Sequence, residues 1–171
     1  DDYNAVAAIS NPESVRKERV SEIEAETRHD IMALTKAMAE AAGDAGWCIH
    51  LGATSNDIVD TAVALQLRDS IVFLREQLCL LIGVCADVAE RERDTVMLGR
   101  THGQAAVPIT FGLKAAVWLD EMRRQLVRLD EATPRIAVGK FLGAVGTGAA
   151  QGENARAVSY THLTLPTTEA V

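Results

Sequence analysis

Residues 99–108 read GRTHGQAAVP, and His102 is the side chain in this sequence best suited to move a proton. Histidine has an ordinary pKa nearest neutrality, so it can donate or accept a proton at working pH. Here it stands between Gly99 and Gly103, beside Arg100, Thr101 and Gln104. Glycine lets a chain turn tightly, so the backbone could present the ring. Taken alone, the segment has two open readings: a polar turn joining two helices, or a loop that offers an acid–base group. Thr54 and Ser55, in TSND, are equally double. Such hydroxyls cap helices, and together with the unpaired N–H groups of a helix start they can also cradle a carboxylate. Arg28, His29 and Asp30, in ETRHDIMAL, read on their own as the charged start of a helix. No two of these histidines stand at zinc-ligand spacing, so no metal site is expected.

The elements that must carry these residues are helical. Of 171 residues, 48% are hydrophobic but only 4% aromatic, and alanine and leucine dominate the apolar set. That balance favours helices over a β-sandwich, and an all-α fold is expected. A net charge of −7 excludes a general nucleic-acid binder, which needs a basic face. It leaves room for a small anionic ligand in a locally positive site. Cys48, Cys79 and Cys85 are odd in number and lack CxxC spacing, as expected of reduced, mostly buried thiols. No signal peptide and no apolar run of membrane-spanning length is seen, which points to a soluble cytoplasmic protein with no membrane or nucleic-acid partner.

Along the chain, residues 1–10 show no clear element. Asn11-Pro12-Glu13 reads as a helix start with Asn11 as cap, leading into a charged helical run over 15–26. A second helix is expected over 29–42, with Ile31, Leu34, Met38 and Ala41 on one side, ended by Gly43 and Gly46. After a connector over 47–52, Thr54 and Asp57 form a Thr-x-x-Asp capping box. The helix that follows can run over 55–94, roughly 60 Å at the usual rise. Its apolar residues fall into three seven-residue series: Ile58, Leu65, Val72, Cys79, Ala86; Leu67, Leu74, Leu81, Val88; and Ala64, Ile71, Leu78, Cys85. Apolar residues around so much of the circumference imply a helix surrounded by others, in a bundle completed by further subunits. A third helix is expected from Pro108 to about Thr133. Its buried stripe is Phe111, Ala115, Trp118, Met122, Leu126 and Leu129, and Pro134 ends or kinks it. KFLGAVGTGAAQG, over 140–152, reads as a loop or a closely approached backbone. The final stretch, 158–171, is threonine-rich and without period. It resembles a translated sequencing adaptor and is set aside, His162 with it.

Read together, ETRHDIMAL (26–34), HLGATSNDIVDTA (50–62) and MLGRTHGQAAVPITFGLK (97–114) resemble the adenylosuccinate lyases, a branch of the fumarase/aspartase superfamily. The resemblance runs over roughly 13–157 and continues through WLDEMRRQLVRL and KFLGAVGT. The argininosuccinate lyases read closer to SRND than TSND. The carboxymuconate cycloisomerases share a GATSxD segment without a histidine set as His102 is. A non-catalytic helical oligomerisation module has no need of GRTHGQ and TSND at its helix ends.

The resemblance implies a fumarase/aspartase-type helical fold. Residues 1–52 then belong to a small N-terminal helical domain, 53–157 to the first part of the central bundle, and 158–171 to the artefact tail. It implies β-elimination of fumarate from adenylosuccinate, giving AMP, and from SAICAR, giving AICAR, with no metal and no cofactor. A base takes a weakly acidic proton beside a carboxylate, the carbanion needs electrostatic support, and an acid protonates the leaving nitrogen. His102 falls at the family's acid. Arg28, His29, Asp30, His50, Thr54, Ser55, Thr101 and Gln104 fall at or near its substrate contacts. The family works as a homotetramer with sites assembled from several subunits. Its N-terminal Arg-Tyr contact and its mobile serine loop, the source of the base, match nothing here, so an inactive internal fragment is expected.

Overall fold

The computed structural model describes residues 2–150; the stretch read as an adaptor tail lies outside them. Two compact units are resolved. One takes the chain up to Ala62 together with the stretch from Gly139 on, and the other takes Val63–Val138.

The first unit opens with a helix where none was expected, α1 (Asp2–Ala8). The helix assigned to Asn11 is a single turn instead. Asn11 Oδ1 accepts from the N–H groups of Glu13 and Ser14 at 3.0 and 2.9 Å, and α2 (Lys17–Thr27) begins only afterwards. Arg28 closes α2 in the left-handed conformation, at φ 54°, with its N–H on the Glu24 carbonyl. One residue later His29 opens α3 (Asp30–Ala42).

The two helices pack through small residues. Ile23 of α2 meets Ala33 and Ala37 of α3, with Val15 and Val20 against them. The expected stripe of Ile31, Leu34, Met38 and Ala41 is therefore displaced: the first three are half-buried and Ala41 is exposed. Two alanines one turn apart let the helix axes approach closely, and the larger side chains splay to the flanks. A short 3-10 helix, Gly43–Cys48, follows. Gly46 is pressed against α3, where a Cβ would stand 2.4 Å from the Ala39 carbonyl oxygen.

α4 (Ser55–Arg91) is the long helix that the sequence predicts. Its buried positions Ala64, Ile71 and Cys85 belong to one of the three apolar series. Members of the other two, Leu67, Val72, Leu74 and Leu81, are exposed. Cys79 is exposed and Cys48 half-buried, so only Cys85 behaves as a buried thiol.

In the second unit the largest departure from the all-α expectation lies between α4 and the last helix. There β1 (Val96–Thr101) and β2 (Gln104–Thr110) form an antiparallel hairpin. The fold stays mainly helical, with this two-stranded sheet inserted. Pro108, expected at the first turn of a helix, instead lies in a strand opposite Leu98. A proline donates no ladder bond, so an edge strand tolerates it. The cap of α5 (Phe111–Ile136) is Thr110, whose Oγ1 accepts from the Leu113 N–H at 3.1 Å. Gly112 and Ala115 are the buried residues of α5. Trp118, assigned to the buried stripe, is 46% exposed. It lies edge-on to Phe111, with the Lys114 ammonium 5.5 Å from its ring centroid. Pro134 does not end α5, which runs on to Ile136. Among the described residues no helix is long and apolar enough to cross a membrane.

Candidate functional site

In the first unit, the break between α2 and α3 puts Arg28, His29 and Asp30 at a corner. The His29 ring caps α3: its Nδ1 accepts from the Met32 N–H at 3.3 Å. A neutral imidazole that accepts at Nδ1 carries its proton on Nε2. That Nε2 faces Ser55 Oγ at 3.4 Å, so the ring donates toward the hydroxyl. Asp30 Oδ1 is also 3.3 Å from Nδ1, and a proton at Nδ1 would redirect the ring to that carboxylate. The structure thus brings together two residues 26 apart in sequence that the motifs had offered separately.

Thr54 and Ser55 stand at the start of α4, as the capping box predicts. Asp57 supplies the box: its Oδ2 accepts from the Thr54 N–H at 3.0 Å. The same carboxylate takes two further backbone donors, the Gly143 N–H on Oδ2 at 2.9 Å and the Leu142 N–H on Oδ1 at 3.2 Å. Asp57 is 2% exposed. Burial pushes its carboxyl up, but the N–H groups of Thr54, Leu142 and Gly143, helped by the Lys140 ammonium, outweigh that and hold it below the usual aspartate range. One turn along, Thr61 Oγ1 bonds both the N–H and the carbonyl of Lys140, at 3.0 and 3.2 Å. Lys140 Nζ pairs with Asp60 at 2.8 Å. The glycine-rich stretch expected to be a closely approached backbone is thereby fastened to the first two turns of α4.

His50 lies on the connector before α4, with φ 68°. Its Nδ1 is buried and has no hydrogen-bond partner among the described residues. A buried ring nitrogen left unpaired costs free energy.

In the second unit, Thr101 and Gln104 are the last paired residues of the hairpin, and His102 and Gly103 are the two-residue turn between them. Both turn residues have positive φ, 51° and 73°. That pair is the signature of a type I′ turn, whose twist matches a two-residue hairpin. His102 is therefore exposed at the tip of a ladder, not in a turn between helices. Gly99 sits at the irregularity in the ladder and is buried. A Cβ there would stand 2.4 Å from the Val107 carbonyl oxygen, so its role is close backbone approach.

Asp57 is the residue whose reach sequence reasoning missed. TSND identified it as a helix cap, and nothing local announced its bonds to Leu142 and Gly143, 85 and 86 residues away.

Comparison with known proteins identifies the family. A family model described as "Lyase" matches residues 4–168. The adenylosuccinate lyase of Methanothermobacter thermautotrophicus is 54% identical over 145 residues, covering 84% of this chain and 32% of that protein. That of Archaeoglobus fulgidus is 55% identical over 141 residues, covering 82% and 31%. The chain thus spans about a third of the length of these curated relatives. Among solved structures, a fumarate lyase from Mesorhizobium sp. BNC1 superposes with a TM-score of 0.85 at 37% identity, covering 95% of this chain and 38% of that one. The 3-carboxy-cis,cis-muconate lactonizing enzyme of Pseudomonas putida does so with a TM-score of 0.82 at 34% identity, covering 94% and 38%. With a lyase family model matched along nearly the whole chain and a fumarate lyase superposing on most of it, this protein belongs to the lyase family of the fumarase/aspartase superfamily.

Proposed function

We propose that this chain is part of an adenylosuccinate lyase that eliminates fumarate from adenylosuccinate and from SAICAR. The observation that carries the reading is identity above 50% to adenylosuccinate lyases over more than four fifths of the chain. The muconate lactonizing enzyme shares the fold at much lower identity.

In this reading the reaction begins with removal of a proton from the succinyl carbon beside a carboxylate. The electron pair forms the C=C bond of fumarate as the C–N bond breaks, and the nitrogen leaves with a proton supplied by His102. A ring at the tip of a type I′ turn projects beyond its strands and suits delivery of a proton into a site formed around it. Thr101 and Gln104 flank it as substrate contacts. Thr54 and Ser55 bind a substrate carboxylate with their hydroxyls. The Asp57 carboxylate occupies the Thr54 N–H, which leaves the first N–H groups of α4 itself to act with these hydroxyls. His29 holds Ser55 from the opposite side, Arg28 and Asp30 contact the anionic and hydroxyl groups of the substrate, and His50 supports the pocket. The base comes from residues outside these 171. The protein works in the cytoplasm as a homotetramer whose sites are shared between subunits. The exposed apolar rows of α4 (Val59, Val63, Leu67, Phe73, Leu74, Leu80) are the surface such a bundle covers.

Fumarate release from adenylosuccinate, measured on the full-length protein carrying this segment and on the 171-residue chain alone, tests the reading. Turnover is expected from the former and none from the latter. A full-length protein inert toward adenylosuccinate but active on a carboxymuconate would transfer the chain to the lactonizing branch.

A further inference from the structure

We propose that Asp57 is a positioning residue for substrate binding: its carboxylate locks the Thr54 and Ser55 hydroxyls in register with the glycine-rich loop at Leu142 and Gly143. This rests on the reading above, in which Thr54 and Ser55 hold a substrate carboxylate. The geometry exceeds what a helix cap needs. A capping carboxylate satisfies one or two N–H groups of its own helix. Asp57 satisfies Thr54 and, in addition, two N–H groups from a segment 85 and 86 residues away. It is almost completely buried, and both of its oxygens accept, Oδ2 from Thr54 and Gly143 and Oδ1 from Leu142. Only an ionised carboxylate offers acceptors on both sides. An asparagine in either flip turns its NH₂ against at least one of these N–H donors. Asp57 thus holds the backbone of Thr54, the residue next to Ser55, while His29 Nε2 faces the Ser55 hydroxyl.

A simple structural cross-link predicts something different, and Thr61 supplies the comparison. It joins the same two segments one turn further along, through two hydrogen bonds to Lys140, without touching Thr54 or Ser55. The test uses the full-length lyase carrying this segment, with Asp57→Asn and Thr61→Val made separately, and reads KM and kcat for adenylosuccinate alongside the melting temperature. Loss of substrate positioning that acts alike on ground and transition states raises KM and leaves kcat, so Asp57→Asn is expected to raise KM by about tenfold or more, with kcat within about threefold. Thr61→Val is expected to change either constant by no more than about twofold. A KM for Asp57→Asn within twofold of the parent, or an equal rise in both variants at equal loss of melting temperature, overturns the proposal and leaves Asp57 a cross-link.

A measurement on the unsubstituted chain guards against an Asp57→Asn variant that does not fold. Followed by NMR as pH is lowered, the Thr54, Ser55, Leu142 and Gly143 amides are expected to move together on one step, below the ordinary aspartate range. A Ser55 amide that stays still while the other three move overturns the proposal. If the unsubstituted full-length protein releases no fumarate, the functional reading fails by itself, and the amide titration still decides what Asp57 holds.

Discussion

Replacing His102 with asparagine separates the chemistry of the turn from its geometry, because the two are expected to change in opposite directions. His102 sits at φ 51° in a two-residue turn with Gly103 at φ 73°. The left-handed region costs an ordinary L-residue ~1–2 kcal/mol, and asparagine is among the few that visit it routinely. Asparagine is also the favoured first residue of a type I′ turn. The hairpin of His102→Asn should therefore be as stable as the parent or more so, by up to ~1 kcal/mol. A positioned general acid is worth about 10²–10⁴ in rate, or ~2.7–5.4 kcal/mol at 1.36 kcal/mol per decade. In the full-length lyase, kcat for fumarate release should fall by that factor with the melting temperature unchanged or raised. His102→Val is the companion variant. A β-branched side chain at this φ is a genuine outlier, so it should lower both turnover and stability. Turnover of His102→Asn within about threefold of the parent would refute the acid role, since no positioned acid is worth so little. An asparagine variant as destabilised as the valine one would refute the turn assignment.

Two further outcomes follow from the packing and the electrostatics. Gly112 and Gly83 are both helical glycines, and alanine should have opposite effects at them. At Gly112 a Cβ meets the Ala89 carbonyl oxygen and the Arg93 Cα at 2.6 Å, both backbone. Gly112→Ala should cost about 1–3 kcal/mol in denaturant melts of the chain. At Gly83 nothing lies within 4 Å, and Gly83→Ala should gain ~1 kcal/mol from helix propensity alone; equal effects at the two positions would contradict the close approach. The depressed pKa of Asp57 sets a pH dependence. Its stabilisation is complete above the unfolded aspartate value of about 3.9 and is lost as pH falls through the lower folded value. The stability gap between parent and Asp57→Asn in urea should be wide at neutral pH and close in acid. A gap that does not change with pH would mean that the carboxylate charge contributes nothing.

How far these features could be read from the sequence depended on whether their cause was local. The long helix α4 was legible because its seven-residue apolar series and its Thr-x-x-Asp start lie within the helix itself. The register of α3 was misread because the partner decides it: periodicity favours the large residues Leu34 and Met38, but Ile23 of α2 packs onto Ala33 and Ala37. The reach of Asp57 was invisible because its other donors lie 85 and 86 residues away. The hairpin was hidden by three substitutions in the usual signal. Its turn begins with histidine in place of asparagine, a glycine interrupts the alternation of β1, and the proline of β2 imitates the first turn of a helix.

That disguise bears on the chemistry. GRTHGQ reads as a turn or loop whose two glycines let the chain bend tightly, yet their tasks differ. Gly103 takes the second positive φ of the turn, with open space where a Cβ would be, whereas Gly99 is buried with the Val107 carbonyl oxygen where a Cβ would be. One glycine permits a tight turn and the other permits two strands to close on each other, and neither makes the segment slack. A histidine in a slack loop would spend binding energy on being ordered before it could deliver a proton. His102 stands between Thr101 and Gln104, the closing pair of an antiparallel ladder, so in the proposed reaction its backbone is ordered before substrate arrives. Preorganisation of that kind is what an acid needs if it is to meet a leaving nitrogen only as the C–N bond breaks.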